Sequence, residues 1–344
     1  MGNKQVRGMS PADGATMRAA VQHRYGPPSV LALSEAPIPV PGRGDVLVRV
    51  GAASVHPGDY FVMTGNPYLV RLAYGLRKPR NGIPGRDLAG VVVAVGQDVA
   101  TLGPGDEVFG WSTEGTLAEY ACVPADHLVP RPATVPVEHA AAVPTSALTA
   151  LQALRDVANV RPGQTVLITG ASGGVGSFAV QIAKSLGAEV TGVCSTGNVE
   201  LVRMLGADHV LDYTTTDFTR GEKRYDVIVD NVEAQPLAAV RRALTPTGTL
   251  VPNSGHGGRW IGPLGRILTA HVLSCFTRQR LKPFVSVEKR HDLLALCTLL
   301  ETGQVVPAID RTYPLDEAAD ALRYVAAGHT RGKVVITVNP TPKE

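Results

Sequence analysis

Two hydrophobic rhythms divide the chain. From Met17 to about Ala142, short apolar or alternating runs (DVLVRVGAASV, LAGVVVAVG, DEVFGW, LAEYACVP) are separated by turn signals such as PGRGD and GPGDE. That pattern predicts an all-β unit of barrel type. EHAAAVPTSALTALQAL, Glu138–Leu154, is the first clearly helical segment and predicts a bridge into a second unit. From Val166 the rhythm becomes strand, helix, strand. Strands are predicted at Val166–Ile168, Val190–Val193, His209–Leu211, Asp226–Val229 and Thr249–Val251, with LVRMLGA and PLAAVRRAL as helices between them. Such alternation predicts an α/β, doubly wound parallel sheet. Two further helices (LLALCTLLETG, EAADALRYVAAG) and a strand, KVVITV, end the pattern.

The most informative stretch is Val166–Asn198. A strand runs into the turn Gly170-Ala171-Ser172-Gly173-Gly174-Val175-Gly176, then into a helix with the apolar stripe Phe178, Ile182, Ala183 and Leu186. A dinucleotide pyrophosphate needs backbone without Cβ at Gly173, and a helix that starts close to the sheet at Gly176. The helix N-terminus then offers unpaired N–H groups to the anion. A bare glycine turn is the alternative, but the strand before, the helix after and the second strand favour nucleotide. An acid that would bind ribose hydroxyls in NAD-selective domains is expected about 20 residues past the glycines. The second strand instead ends in Cys194-Ser195-Thr196. Small hydroxylated residues do not repel a 2′-phosphate, so NADPH is expected, with NADH possible. The alternative for Ser195 and Thr196, less favoured, is a polar strand-end turn.

Composition adds limits. Charged residues make up 18% and apolar residues 44% of the 344, as in an ordinary soluble globular chain. A net charge of +3 is too small to argue for nucleic acid. Cys122, Cys194, Cys275 and Cys297 are widely spaced, which suits a reducing, cytoplasmic setting. No apolar run approaches the ~20 residues of a membrane span. Residues 1–16 read as a flexible leader.

The segments MRAAVQHRYG, GRDLAGVVVAVG, PGDEVFGW, LAEY, LTALQAL, GASGGVG, LGADHVLDY, YDVIVDNV and RGKVVITV, in that order, span nearly everything from Met17 to Val338. With them the chain resembles the medium-chain dehydrogenase/reductase superfamily, and within it the quinone oxidoreductase-like branch. The resemblance implies a GroES-like β-barrel domain (17–144 and 296–344) wrapped around a Rossmann domain (145–295), with the active site between them and a homodimer as the assembly. Zinc-dependent members carry a cysteine ligand after the first catalytic β-segment and a Gly-His-Glu motif further on. Here those places read SVHPGDY and PGRDLAG, with Arg86 and Asp87 in place of His and Glu. Three or four N or S ligands are needed for zinc, so no metal is expected. Without a Lewis acid, hydride delivery to an activated acceptor is the expected chemistry, and quinones or electron-poor enones fit.

The resemblance further implies that Ser195, Asn198 and Tyr213 line the adenosine pocket, and that Thr149 and Asn231 lie beside the nicotinamide and its ribose. Thr149 reads equally as a back-bonded helix threonine. His56 stands where relatives carry asparagine; it could donate a hydrogen bond or proton to the acceptor oxygen, or act as a polar spacer. Tyr68 lies close to a tyrosine that enoyl-thioester reductases use, or else packs on the cleft wall. Arginines and lysines crowd 60–86 and 234–287, which have no acid between Asp59 and Asp87 or between Glu233 and Glu288. Three readings compete: solvated surface charge, an anionic substrate, or peripheral membrane contact through Gly258–Phe284. An enoyl-thioester reductase and a non-catalytic NADPH-binding protein are the alternatives to a quinone or enone reductase.

Overall fold

The structure, a computed structural model, describes residues 14–253 and 278–339. Residues 1–13 of the predicted leader 1–16, and most of the Gly258–Phe284 segment with Cys275, lie outside those residues, and the last residue of that leader, Thr16, already begins the first strand.

Strand β1 (Thr16–Val21) pairs antiparallel with β2 (Ala32–Pro37). β3 (Asp45–Val55) is the spine of the first lobe. It pairs antiparallel with β4 (Asp87–Val95) on one side and with β6 (Tyr120–Pro124) along its first half. β5 (Glu107–Trp111) and β7 (Leu128–Pro130) extend the sheet beyond β4. Eight of eleven β3 residues are buried, so its apolar run serves both faces.

Two helices follow β3 that apolar periodicity does not announce: α1 (Pro57–Thr64) and α2 (Val70–Tyr74). The predicted helix at Glu138–Leu154 is present but broken. α3 (Val137–Ala142) and α4 (Pro144–Leu151) meet at Val143, and the chain then widens into a π-helical stretch, Gln152–Ala158. Pro144 has no amide hydrogen for the preceding turn, which sets the joint.

The second lobe is a parallel sheet of β8 (Thr165–Thr169), β9 (Glu189–Cys194), β10 (His209–Asp212), β11 (Tyr225–Asp230), β12 (Leu244–Pro252) and β13 (Arg280–Leu281). Its spatial order is β10-β9-β8-β11-β12-β13, the 3-2-1-4-5-6 order of a dinucleotide-binding fold. Helices α5 (Gly174–Ser185), α6 (Val199–Met204) and α7 (Leu237–Arg242) connect the strands. The strand order reverses at β8 and β11, and ligands bind such sheets in the crevice beyond the strand C-termini there.

After α8 (Arg290–Glu301) the chain returns to the first lobe. β14 (Ile309–Pro314) and β15 (Lys333–Thr337) flank helix α9 (Ala318–Ala326), and β15 pairs antiparallel with β3. The lobes share a core: Phe109, Trp111 and Val335 pack in one cluster with Leu148, Leu154, Phe178 and Leu293.

Candidate functional site

The glycine turn is built as a tight cradle. Gly170, directly after β8, has φ +58°, a conformation L-residues rarely adopt, and the Gly173 amide donates to its carbonyl at 2.9 Å. Gly173 caps α5 in extended conformation, followed by Gly174, Val175 and Gly176 in its first turn. A Cβ on Gly176 would lie 2.0 Å from the Gly170 carbonyl oxygen, so only glycine lets the helix start this close. The tight-turn role therefore belongs to Gly170, a residue the G-x-G-x-x-G spacing did not single out.

The C-terminal turn covers this cradle. Gly332 N–H donates to the Ser172 carbonyl at 2.7 Å, and the Lys333 stem lies against Gly174. Lys333 is 2% exposed; its Nζ donates to Ser146 Oγ at 3.1 Å and stands 3.5 Å from Asp87 Oδ2. Asp87, fully buried, also accepts from Ser54 Oγ (3.1 Å), Thr145 N–H (3.1 Å) and Thr145 Oγ1 (2.6 Å). Residues from β3, β4, β15 and α4 thus converge on one carboxylate. A buried charge is tolerable only when paired in this way.

Beyond the sheet's C-terminal edge, Asn231 N–H donates to Thr169 Oγ1 and its Nδ2 to the Thr169 carbonyl, both at 2.9 Å. Asn253, absent from the sequence reading, donates to Asn231 Oδ1 at 2.8 Å. Together these ties fix the tips of β8, β11 and β12 at the switch point. Thr149 spends its hydroxyl proton on the Thr145 carbonyl, 2.7 Å away, as a back-bonded helix threonine does.

At the far end of the crevice, Asn198 Nδ2 donates to Ser195 Oγ at 3.1 Å. Thr196 Oγ1 donates to Asp212 Oδ2 at 2.6 Å, and Tyr213 is 62% exposed beside it. Arg331, carried by the C-terminal turn, donates from Nη2 to the Gly197 carbonyl at 2.6 Å. No spacing rule relates positions 197 and 331, so this guanidinium was missed. Ser195, Thr196, Asn198 and Tyr213 are brought together around that turn; Thr149 and Asn231 lie apart from it, on α4 and beyond the tip of β11.

His56 caps α1. Its Nδ1 accepts from Gly58 N–H at 3.0 Å, while its own N–H donates to Asp59 Oδ2 at 2.9 Å. An accepting Nδ1 assigns the ring proton to Nε2. That atom is enclosed and 3.5 Å from Asp59 Oδ2, too far for a hydrogen bond. Burial pushes the Asp59 carboxyl up, partly offset by His56. The imidazole thus caps α1 through Nδ1, while Nε2 has no hydrogen-bond partner among the described residues. Tyr68 lies past the other end of α1, its ring 4.7 Å under the Arg71 guanidinium, which also stacks on Tyr25.

Arg86 donates to Tyr74 Oη at 3.0 Å and to Glu288 at 2.8 Å, bridging the lobes, while its Nε is buried without a partner. Burial opposes its charge, but Glu288, Tyr74, Asp59 and Asp87 together outweigh this and hold the guanidinium protonated. A zinc ion does not fit this pair: a guanidinium cannot ligate, and Asp87 is committed to its four partners. Among the described residues no group of three or more His, Cys, Asp or Glu could hold a metal.

A family model described as "Alcohol dehydrogenase GroES-like domain" matches residues 42–133, and one described as "Zinc-binding dehydrogenase" matches 205–336. The "Chloroplast envelope quinone oxidoreductase homolog" of Arabidopsis thaliana is 33% identical over 94% of this chain and 99% of its own. The chain belongs to the quinone oxidoreductase-like branch of the medium-chain dehydrogenase/reductases. Another relative in this family, "NAD(P)H oxidoreductase RTN4IP1, mitochondrial" of Mus musculus, is 32% identical over 95% of this chain and 90% of its own. The "2-methylene-furan-3-one reductase" of Solanum lycopersicum is 33% identical over 95% and 80%. The solved quinone oxidoreductase of Coxiella burnetii superposes with TM-score 0.83 at 30% identity, covering 94% of this chain and all of the other. The α/β Rossmann-like fold with its GroES-like domain, and NAD(P)H-dependent oxidoreductase activity, follow for this chain.

Proposed function

We propose that this enzyme is a metal-free, NADPH-preferring reductase of quinones or other electron-poor enones, acting in the cleft between its lobes. When bound, the dinucleotide supplies hydride. The protein's part is to hold it and to position the acceptor. The Gly170–Gly176 cradle and the N-terminus of α5 suit the pyrophosphate. The observation that carries the NADPH preference is Arg331 against the Gly197 carbonyl, in a turn whose own residues bear no acid. A guanidinium beside this turn would suit a 2′-phosphate, because charge-assisted bonds to phosphate are strong. Positioning then suffices for quinones, because water can protonate the hydroquinone anion.

Turnover of NADPH and NADH against a benzoquinone, a naphthoquinone, a simple enone and an enoyl-CoA, each with and without EDTA, tests the reading. EDTA-insensitive quinone or enone reduction with NADPH is expected; loss of activity on chelation would sink it. By calorimetry, Arg331→Gln should weaken NADPH at least tenfold and leave NADH unchanged, on the order of the 1.5–3 kcal/mol of a charged hydrogen bond. A second reading, reduction of an anionic enoyl substrate, is favoured by Arg86, whose buried Nε has no partner. Turnover of the enoyl-CoA alone would select it.

A further inference from the structure

Helix α2 is inside out. Its polar side chains face the protein: Arg71 donates to the Gly65 carbonyl at 3.0 Å and stacks on Tyr25 and Tyr68, and Tyr74 holds Arg86. Apolar side chains face water instead: Leu72 (64%) and Ala73 within the helix, and Leu69 (43%) and Leu76 (68%) just before and after it, are exposed, while Val70 is half-buried. An ordinary surface helix buries such residues and solvates its arginines. Directly after them come Arg77, Lys78 and Arg80, all exposed. No acid occurs in the sequence between Asp59 and Asp87 to neutralise this cluster. Val285 (83%) and Val287 (56%) are exposed on the segment that continues to Glu288, the residue joined through Arg86 to Tyr74.

We infer that this leucine face, with its basic flank, docks on an anionic lipid bilayer. The charge pattern selects the occupant. A second copy of the chain would meet the patch with itself in a two-fold contact, setting Arg77, Lys78 and Arg80 against their own like charges. A protein partner would need ~800 Å² of surface complementary in shape and charge, and would have to carry an acidic face opposite Arg77, Lys78 and Arg80. A bilayer needs no complementary shape. It takes up aliphatic side chains at the acyl boundary and attracts lysine and arginine to its headgroups. No helix among the described residues is long enough to cross a membrane, so the contact is peripheral. The inference goes beyond the reductase reading and stands without turnover. Should both hold, a lipid-dissolved acceptor would enter beside Arg86.

The test is co-sedimentation of the full chain with phosphatidylcholine vesicles, with and without phosphatidylglycerol, at low and high salt. The chain should sediment with the anionic vesicles, at least tenfold less with neutral ones, and less in high salt. The triple variant Leu69→Ser, Leu72→Ser, Leu76→Ser and the triple variant Arg77→Gln, Lys78→Gln, Arg80→Gln should each lose binding at least tenfold. About fivefold per basic residue is expected from about 1 kcal/mol each. Melting temperature and NADPH affinity should not change, which shows that the variants fold. Failure of the parent to sediment with anionic vesicles would overturn the inference. So would unchanged binding by either triple variant, which would place the contact elsewhere. Loss of self-association rather than of vesicle binding in the leucine variant, seen by analytical ultracentrifugation, would assign the face to a second copy.

Discussion

At the scale of single residues, two positions in the site are determined by a missing or a spent atom. Gly176 has no room for a methyl group against the Gly170 carbonyl. Gly176→Ala must push helix and turn apart, at about 1–3 kcal/mol. It should lower the melting temperature and weaken NADPH binding more than tenfold in calorimetry. His56 spends Nδ1 on the α1 cap. His56→Ala should therefore cost about 1 kcal/mol of stability, while His56→Asn, whose Oδ1 can accept the same N–H, should recover most of it. The kcat–pH profile decides its chemistry: a cap leaves the profile of the Asn variant unchanged, and loss of a limb would make His56 a proton donor after all. The glycine cradle was legible in the sequence because its contacts are local. Arg331 and Lys333 were not. Arg331 meets Gly197 across 134 positions, and Lys333, at the start of a strand, carries no sequence sign that it is buried.

At the scale of elements, one carboxylate ties helix α8 to the stretch that follows α4, beside the apolar packing of Leu293, Leu296 and Leu300. Asp292, fully buried, accepts from Gln152 Nε2 at 2.8 Å and from Arg155, both in the π-helical stretch that follows α4. Burial pushes the Asp292 carboxyl up, but hydrogen bonds from Arg155 and Gln152, with the charges of Arg155 and His291, outweigh it and hold it below the usual carboxylate range. A depressed folded-state pKa contributes stability above the ordinary Asp value of ~4, lost as the pH falls through the lower folded value. Asp292→Asn should thus cost about 2 kcal/mol at neutral pH. In urea titrations the gap to the parent should narrow as the pH is lowered from 7 toward 3; a gap independent of pH would show that shape, not charge, holds the helix. The Rossmann strands were readable because their apolar runs alternate with helical stripes. α1 and α2 escaped because both are short: α1 starts from an imidazole cap and fully buries only Met63 of its apolar side chains, and α2 turns Leu72 outward and Arg71 inward.

At the scale of the molecule, the first lobe is completed by the end of the chain. β15 lies between β14 and β3, with Val334 opposite Val55 and Ile336 opposite Ala53. Deleting residues 331–344 removes that strand, the Lys333 partner of Asp87 and the Gly332 contact with the glycine turn. The truncated chain should lose its cooperative melt by circular dichroism and its NADPH binding together. Retention of either would mean that the lobes are more independent than their shared core indicates. The same arrangement sets a schedule for synthesis. β3 ends at Val55 and β15 begins at Lys333, 333 − 55 = 278 positions later. At ~5–20 residues per second, roughly 14–56 s pass on the ribosome before β3 meets its last neighbour. Through that interval Ala52, Ala53, Ser54 and Val55 present an uncharged open edge, the kind that recruits strands from other chains. Fast translation, or a chaperone that shields this edge, would therefore raise the yield of native enzyme without altering the stability of the finished fold.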